Sequence, residues 1–353
     1  MNTKKMSNLV RMIALFLTAV ILTCTFGFTV DGWAIKDNPH GEIPPQYNET
    51  VPGDNTTEIP EEPEVILPKY INRLTGLETS EELSCKAAIS YIMDKSAPCY
   101  GISGAEIIID IPTEAGNRLV CIRTDNESLW KIGSLSPTRG YISNISSFFK
   151  TNIVSLGRDD VLNYESCPNN RNHYDLSSMQ NKYYTEYSNF TYTNSDLIRD
   201  FISDDVLTYD APYIFAEFDT EIRFEDVATK IFLDETTELI FDENTKNYSW
   251  YEDGEAKRDL INGKAVSFTN CLVLFADSVI YDNSNGCQMV MDTIGSGHGY
   301  YFTNGSMTEI NWSATADGVM SLYSSTGDKL TINRGQIYIR YAKSSQKNSI
   351  TIQ

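Results

Sequence analysis

The chain has 353 residues, with 28 Lys and Arg against 48 Asp and Glu, a net charge of −20, and 41% hydrophobic and 11% aromatic residues. That apolar content is enough to bury a core and excludes wholesale disorder, and the length suggests two domains. So acidic a chain is a poor binder of phosphate backbones, so nucleic acid is not expected as a partner; three His leave little room for a His-rich metal site or a Ser/His or Cys/His catalytic arrangement.

Lys4, Lys5 and Arg11 form a positive start, and Met12 to Val30 then runs 19 residues without a charge. With Gly32-Trp33-Ala34 behind it, the stretch has the parts of a secretory signal or membrane anchor over residues 1–34. Three fates compete: cleavage after Ala34, lipid attachment at Cys24, or retention as an uncleaved anchor. All three place the rest of the chain outside the cytoplasm, because the positive end stays inside. Without residues 1–34 the charge is 25 positive against 47 negative, or −22, so contact with an anionic membrane is expected only through the N-terminal segment. Six Cys remain: Cys85, Cys99, Cys121, Cys167, Cys271 and Cys287. Their wide spacing argues against a zinc site and leaves buried free thiols and one or two bridges equally open.

Residues 35–70 hold seven of the twelve Pro and many acids, and read as a disordered tether. Strands are predicted over Lys86–Met93, Glu106–Ile111 and Arg118–Arg123, the last two joined by a turn at 112–117. Ser136-Pro137 reads as an N-cap and first helical position, with a helix running to about Thr151. A strand follows at Asn152–Leu156, then a long Asn/Tyr/Ser-rich loop over 163–193, then a helix over 195–202. Beyond residue 212 short β-rich runs recur at 213–218, 228–233, 238–242, 247–252, 265–275, 288–294, 300–303, 307–312, 319–323 and 329–341. Asn-Gly pairs at 262–263, 285–286 and 304–305 and Asp-Gly at 253–254 mark tight turns between them. The expected fold is α+β: a mixed, sandwich-like α+β domain over 71–211, a β-rich antiparallel domain over 212–343, and a tail over 344–353.

The best polar constellation is Asp110, Glu114, Arg118 and Arg139, a candidate site for a carboxylate, phosphate or sugar; its bland alternative is an ion-pair network fixing the turn to the helix. Gly295, Gly297 and Gly299 form G-x-G-x-G, but strand and turn residues follow rather than a helix, so the stretch reads as a place where backbones approach closely, not as a dinucleotide site. Asp282–Cys287 lacks the glycine position and the bidentate Glu of a calcium loop and reads as a hairpin turn. Ser147-x-x-Lys150 falls late in a helix, against a nucleophilic role. Tyr183, Tyr184, Tyr187 and Tyr192 suit stacking on sugars or contact with another protein, or else a half-buried loop packed on the sheet. No cofactor and no metal is expected.

Leu74–Glu78, Glu106–Arg118, Gly133–Arg139, Asp292–Gly305, Ile310–Trp312 and Gly327–Gly335 occur in this order, and together they resemble the YerB-like lipoproteins of Gram-positive bacteria, which have N- and C-terminal domains of unknown function. The likeness covers about residues 72–343. Departures are Glu114-Ala-Gly-Asn-Arg118, where the family has two Gly after the Glu, the single Arg139 where it has two Arg, and Tyr187-Ser188-Asn189 where it has Pro-His-Asn. The resemblance implies an envelope-associated protein with a sandwich-like α+β fold, and implies no reaction. The resulting expectation is a non-enzymatic binding or accessory module, partnered by a cell-wall component or another envelope protein. The alternatives are a hydrolase or transferase using Glu114 with Arg118 and Arg139, and a redox-sensitive structural protein.

Overall fold

The computed structural model describes residues 67–124, 128–158, 173–179, 183–202, 211–283 and 286–353. The signal or anchor segment, Cys24, most of the tether and Cys167 lie outside the described residues. Among the described residues no helix is long and apolar enough to cross a membrane.

Strands dominate. The N-terminal half supplies β1 (Ile89–Asp94), β2 (Ile107–Thr113), β3 (Gly116–Arg123), β4 (Asn152–Ser155) and β5 (His173–Asp175). The C-terminal half supplies β6 (Lys230–Phe232), β7 (Thr237–Asp242), β8 (Asn247–Glu252), β9 (Asn270–Ala276), β10 (Ser278–Asn283), β11 (Gly286–Met291), β12 (Gly295–Thr303), β13 (Ser306–Ala314), β14 (Met320–Ser324) and β15 (Ile337–Lys343). The described α-helices are α1 (Glu81–Ser84), α2 (Gly140–Phe148) and α3 (Ser195–Arg199).

One long sheet runs β13–β12–β9–β15–β2–β3–β1–β4–β5, with Asp226–Val227 and β14 both pairing β13. β15 is parallel to both of its neighbours, Asn270↔Ile337 through Ala276↔Lys343 on one side and Ile107↔Ile337 through Asp110↔Arg340 on the other. A strand on the C-terminal side of residue 211 therefore pairs directly with one on the N-terminal side. The C-terminal strands, expected to be antiparallel, form a mixed sheet, because β15 is reached by a crossover rather than a hairpin. β6, β7 and β8 form a second, smaller sheet, extended at its edge by Thr351–Ile352 against β6.

Side chains alternate across the long sheet, and both faces are covered. Ile107, Ile109 and Ile111 of β2, Leu272 and Leu274 of β9 and Ile337 and Ile339 of β15 share one cluster with Tyr141, Ile142, Ile145 and Phe148 of α2 and with Met289 and Met291 of β11. Ile108, Val273 and Tyr338 turn the other way and pack on Leu239, Phe241, Tyr248 and Trp250 of the smaller sheet. Burial on both sides explains why β2 reads as a continuous apolar run interrupted by Asp110.

The structure corrects two further sequence expectations. The helix predicted from Pro137 begins at Gly140, with Arg139 at the N-cap. Ser136 and Thr138 are committed to extended pairing: the Ser136 amide donates to Ile92 O, Leu156 donates to Ser136 O and the Thr138 amide donates to Gly157 O. The region expected as a long loop over 163–193 contributes strand where it is described. β5 pairs β4, and Thr185–Tyr187 and Phe190–Thr193 make a hairpin docked on Ile132–Gly133. That hairpin turns through Ser188 and Asn189, both at positive φ, the backbone that a tight two-residue turn demands.

Candidate functional site

The four polar residues singled out from the sequence do not converge. Asp110 points to the face of the smaller sheet, fully buried. Its Oδ2 accepts from Lys95 Nζ at 2.9 Å, Tyr338 OH at 2.8 Å and Arg340 Nη1 at 2.5 Å, and its Oδ1 from Asn117 Nδ2 at 2.6 Å. Lys95 also meets Glu252 at 2.8 Å, and Arg340 meets Asp234 at 2.8 Å. Burial alone would raise the Asp110 carboxyl; Arg340 and Lys95 more than reverse it and hold the group well below the usual carboxylate range. The network fixes β2, β15 and the smaller sheet to one another.

Glu114 and Arg139 sit on the other side, together with Arg118. Arg139 Nη2 pairs with Glu114 Oε1, and Glu114 Oε2 accepts the Met289 amide of β11 at 3.1 Å. Arg118 donates to Pro137 O. Both Glu114 oxygens are thus engaged, tying the start of α2 to the β2–β3 turn and to the β10–β11 hairpin. Such a carboxylate orients elements; general acid chemistry would need it open to a substrate.

The tyrosines divide. Tyr192 is buried and Tyr187 is 70% exposed. Lys131, next to the Ile132–Gly133 segment, lies over Tyr192 of the hairpin at 3.8 Å and over Tyr100 at 3.9 Å. Ser147 lies late in α2 and donates to Asn144 O, a helix contact. Among the described residues Cys85, Cys99, Cys121, Cys271 and Cys287 form no disulfide with one another, and burial pushes the Cys99 thiol up to about 11.

A cleft of about 660 Å³ opens where β9 and β12 separate. Its walls are Phe275 and Ala276 at the end of β9 and Asp277 after it, Asp292 before β12 and Gly295–His298 at its start, Asn311 and Trp312 of β13, and Ser344 and Lys347 after β15. A neighbouring pocket of about 310 Å³ shares His298, Asn311 and Lys347 with it. Its volume lies in the range of small-molecule sites.

The glycines build this cleft. A Cβ at Gly299 would stand 2.3 Å from Val273 O, so β9 can lie alongside β12 there only against a bare backbone. A Cβ at Gly297 would stand 2.6 Å from both Phe275 O and Trp312 Nε1; without it, the Trp312 indole passes beneath and donates to Phe275 O at 3.1 Å. Close backbone approach is what the sequence suggested; the consequence for a cavity was not. His298 Nδ1 meets Asn311 Oδ1 at 2.7 Å, across the Cα register pair His298↔Asn311. His298, Lys347, Asp277 and Asp292 were missed from the sequence. The available signal was that Asp292–Gly305 and Ile310–Trp312, two of the stretches carrying the family resemblance, both supply this one cavity.

A third resembling stretch, Gly327–Gly335, has a structural role near its end. The Asn333 amide side chain donates to Ile222 O at 2.9 Å and Thr303 Oγ1 at 2.8 Å, and Asn270 donates to Asn333 O at 2.8 Å.

No curated protein matches the chain by sequence. Residues 227–339 match the C-terminal domain of a protein family of unknown function, DUF3048. The fold is similar to the crystal structure of the YerB protein from Bacillus subtilis, with a TM-score of 0.66 at 18% identity, over 81% of this chain and 100% of that one. The chain thus matches a DUF3048 C-terminal domain over residues 227–339 and has a fold similar to that of YerB.

Proposed function

We propose that this is an exported protein of the cell envelope, acting as a non-enzymatic binding module whose ligand site is the glycine-walled cleft. Residues 71–211 are read as an α+β module with α2 as its main helix, and 212–343 as a β-rich module that carries the cleft. The apolar run Met12–Val30 behind a positive start supports export, and the strongly acidic remainder supports work away from an anionic membrane surface. The observation that carries the binding reading is convergence: Asp292, Gly295–His298, Asn311 and Trp312 come from two separate motif stretches and face one cavity. The rival hydrolase reading, built on Glu114 with Arg118 and Arg139, loses support because both Glu114 oxygens are already bonded. The proposed partner is a cell-wall component or another envelope protein.

The test uses the full-length chain with a C-terminal tag. Protease added to intact cells is expected to remove the tag. The chain is expected to retain soluble cell-wall fragments, and Ser296→Trp, which fills the cleft from an exposed position, is expected to lose them while melting at the same temperature. A protected tag contradicts export; undiminished retention by Ser296→Trp contradicts the cleft.

A further inference from the structure

The cleft's backbone and charges specify a ligand class, an inference that rests on the binding reading above. The β9–β12 ladder ends at Leu274↔Gly299, whereas β12 stays paired with β13 as far as Gly295↔Ala314. Among the described residues, Gly295–His298 therefore carry one backbone edge that no strand covers, and these four residues line the cleft. An uncovered strand edge inside a cavity is matched by a ligand that brings alternating N–H and C=O groups of its own. A peptide has them at strand spacing; a sugar does not.

Charge adds direction. Asp277 and Asp292 lie together at the base of the β10–β11 hairpin, where the Asp292 amide donates to Asp277 O at 2.8 Å. Among the described residues neither carboxylate has a hydrogen-bond or ion-pair partner. Among the described residues Lys347 makes no ion pair either, and its ammonium lies 5.7 Å from the Tyr300 ring. The acids line only the larger cavity, while Lys347 and His298 line both, where the two pockets adjoin. The interior shows the opposite habit: Lys95, Asp110, Arg340, Asp234 and Glu252 are all ion-paired.

We propose that the cleft binds a short, extended, zwitterionic peptide, adding it as a strand along Gly295–His298, with its ammonium at Asp277 and Asp292 and its carboxylate at Lys347. The probes are tetra-alanine with free ends, N-acetyl-tetra-alanine and the N-acetylglucosamine tetramer. Each is titrated against the full-length chain while the amide resonances of Gly295, Gly297 and Gly299 are followed. Tetra-alanine is expected to shift these signals, and acetylation to weaken it about tenfold or more, the scale of one charge-assisted contact. The double substitution Asp277→Asn, Asp292→Asn is expected to weaken the free peptide by the same factor and leave the acetylated one unchanged. If the sugar shifts the glycine signals in a Ser296→Trp-sensitive way and tetra-alanine does not, the peptide class is overturned while the cleft remains the binding site. Equal binding of free and acetylated peptide overturns the placement of the ammonium. If neither probe shifts the glycines and wall fragments bind Ser296→Trp undiminished, this inference and the reading beneath it both fall.

Discussion

Asp110 is a carboxylate wholly removed from water in mid-strand, and it survives there because two cations and two neutral donors surround it. Removing one member of a buried ion pair typically costs about 3–5 kcal/mol. In Asp110→Ala, Lys95 keeps Glu252 and Arg340 keeps Asp234, so the loss should fall near the lower end, about 3 kcal/mol by denaturant unfolding. A loss below about 1 kcal/mol would mean the network is not the stitch described. The pH dependence follows from the same groups. Asp110 and Asp234 are held below the usual carboxylate range, burial being outweighed by Arg340 in both, and Asp259 is lowered through the backbone amides of Ile261, Ser103 and Gly101. Groups lowered on folding stabilise above their unfolded pKa, about 4, and that stabilisation is lost as pH falls below it. Glu106, pushed up by burial, has the opposite sign. With three groups against one, the melting temperature should hold near neutrality and fall below about pH 4, more gently in Asp110→Asn. From the sequence, Asp110 is visibly a polar residue in an apolar run; which cations answer it is not, because Arg340 reaches it only through the pairing of β2 with β15.

At the level of elements, what was legible is what is local. β2, β3, β7 and β8 stand close to their predicted positions because each is an apolar or alternating run closed by turn residues. β10 was not predicted: Val279, Ile280 and Tyr281 form a short run between acids, and in the structure all three stay exposed. The start of α2 was misplaced because Ser136-Pro137 carries cap chemistry while its backbone groups are taken by β1 and the chain after β4. G-x-G-x-G was legible as close approach, and its use in opening a cavity was not, since that requires knowing that β9 and Trp312 lie against it. Gly299→Ala drives a Cβ onto the Val273 carbonyl, where flexible side-chain adjustment cannot help. The expected cost is about 1–3 kcal/mol, with weaker retention of wall fragments, read by unfolding and pull-down together. An alanine tolerated without loss of stability would mean that β9 and β12 are not held so close.

For the whole molecule, the decisive feature is β15, parallel to β9 on one side and to β2 on the other. It joins strands from both halves of the chain into one sheet, and a parallel crossover leaves no mark in local sequence pattern. The same strand leads into Ser344 and Lys347 and so completes the cleft that β12 and β13 begin. Fold and candidate site are therefore built by the same long-range pairing, which is why composition and motifs give an α+β reading with a β-rich C-terminal part, and the compartment expectation, but neither the strand-rich N-terminal half nor the cavity. The most direct measurement is hydrogen–deuterium exchange of the full-length chain across Asp292–Gly299, with and without a soluble cell-wall digest. Slower exchange there in the presence of the digest, abolished in Ser296→Trp, is the predicted result; exchange that the digest leaves unchanged in the wild-type chain would contradict the cleft as the binding site.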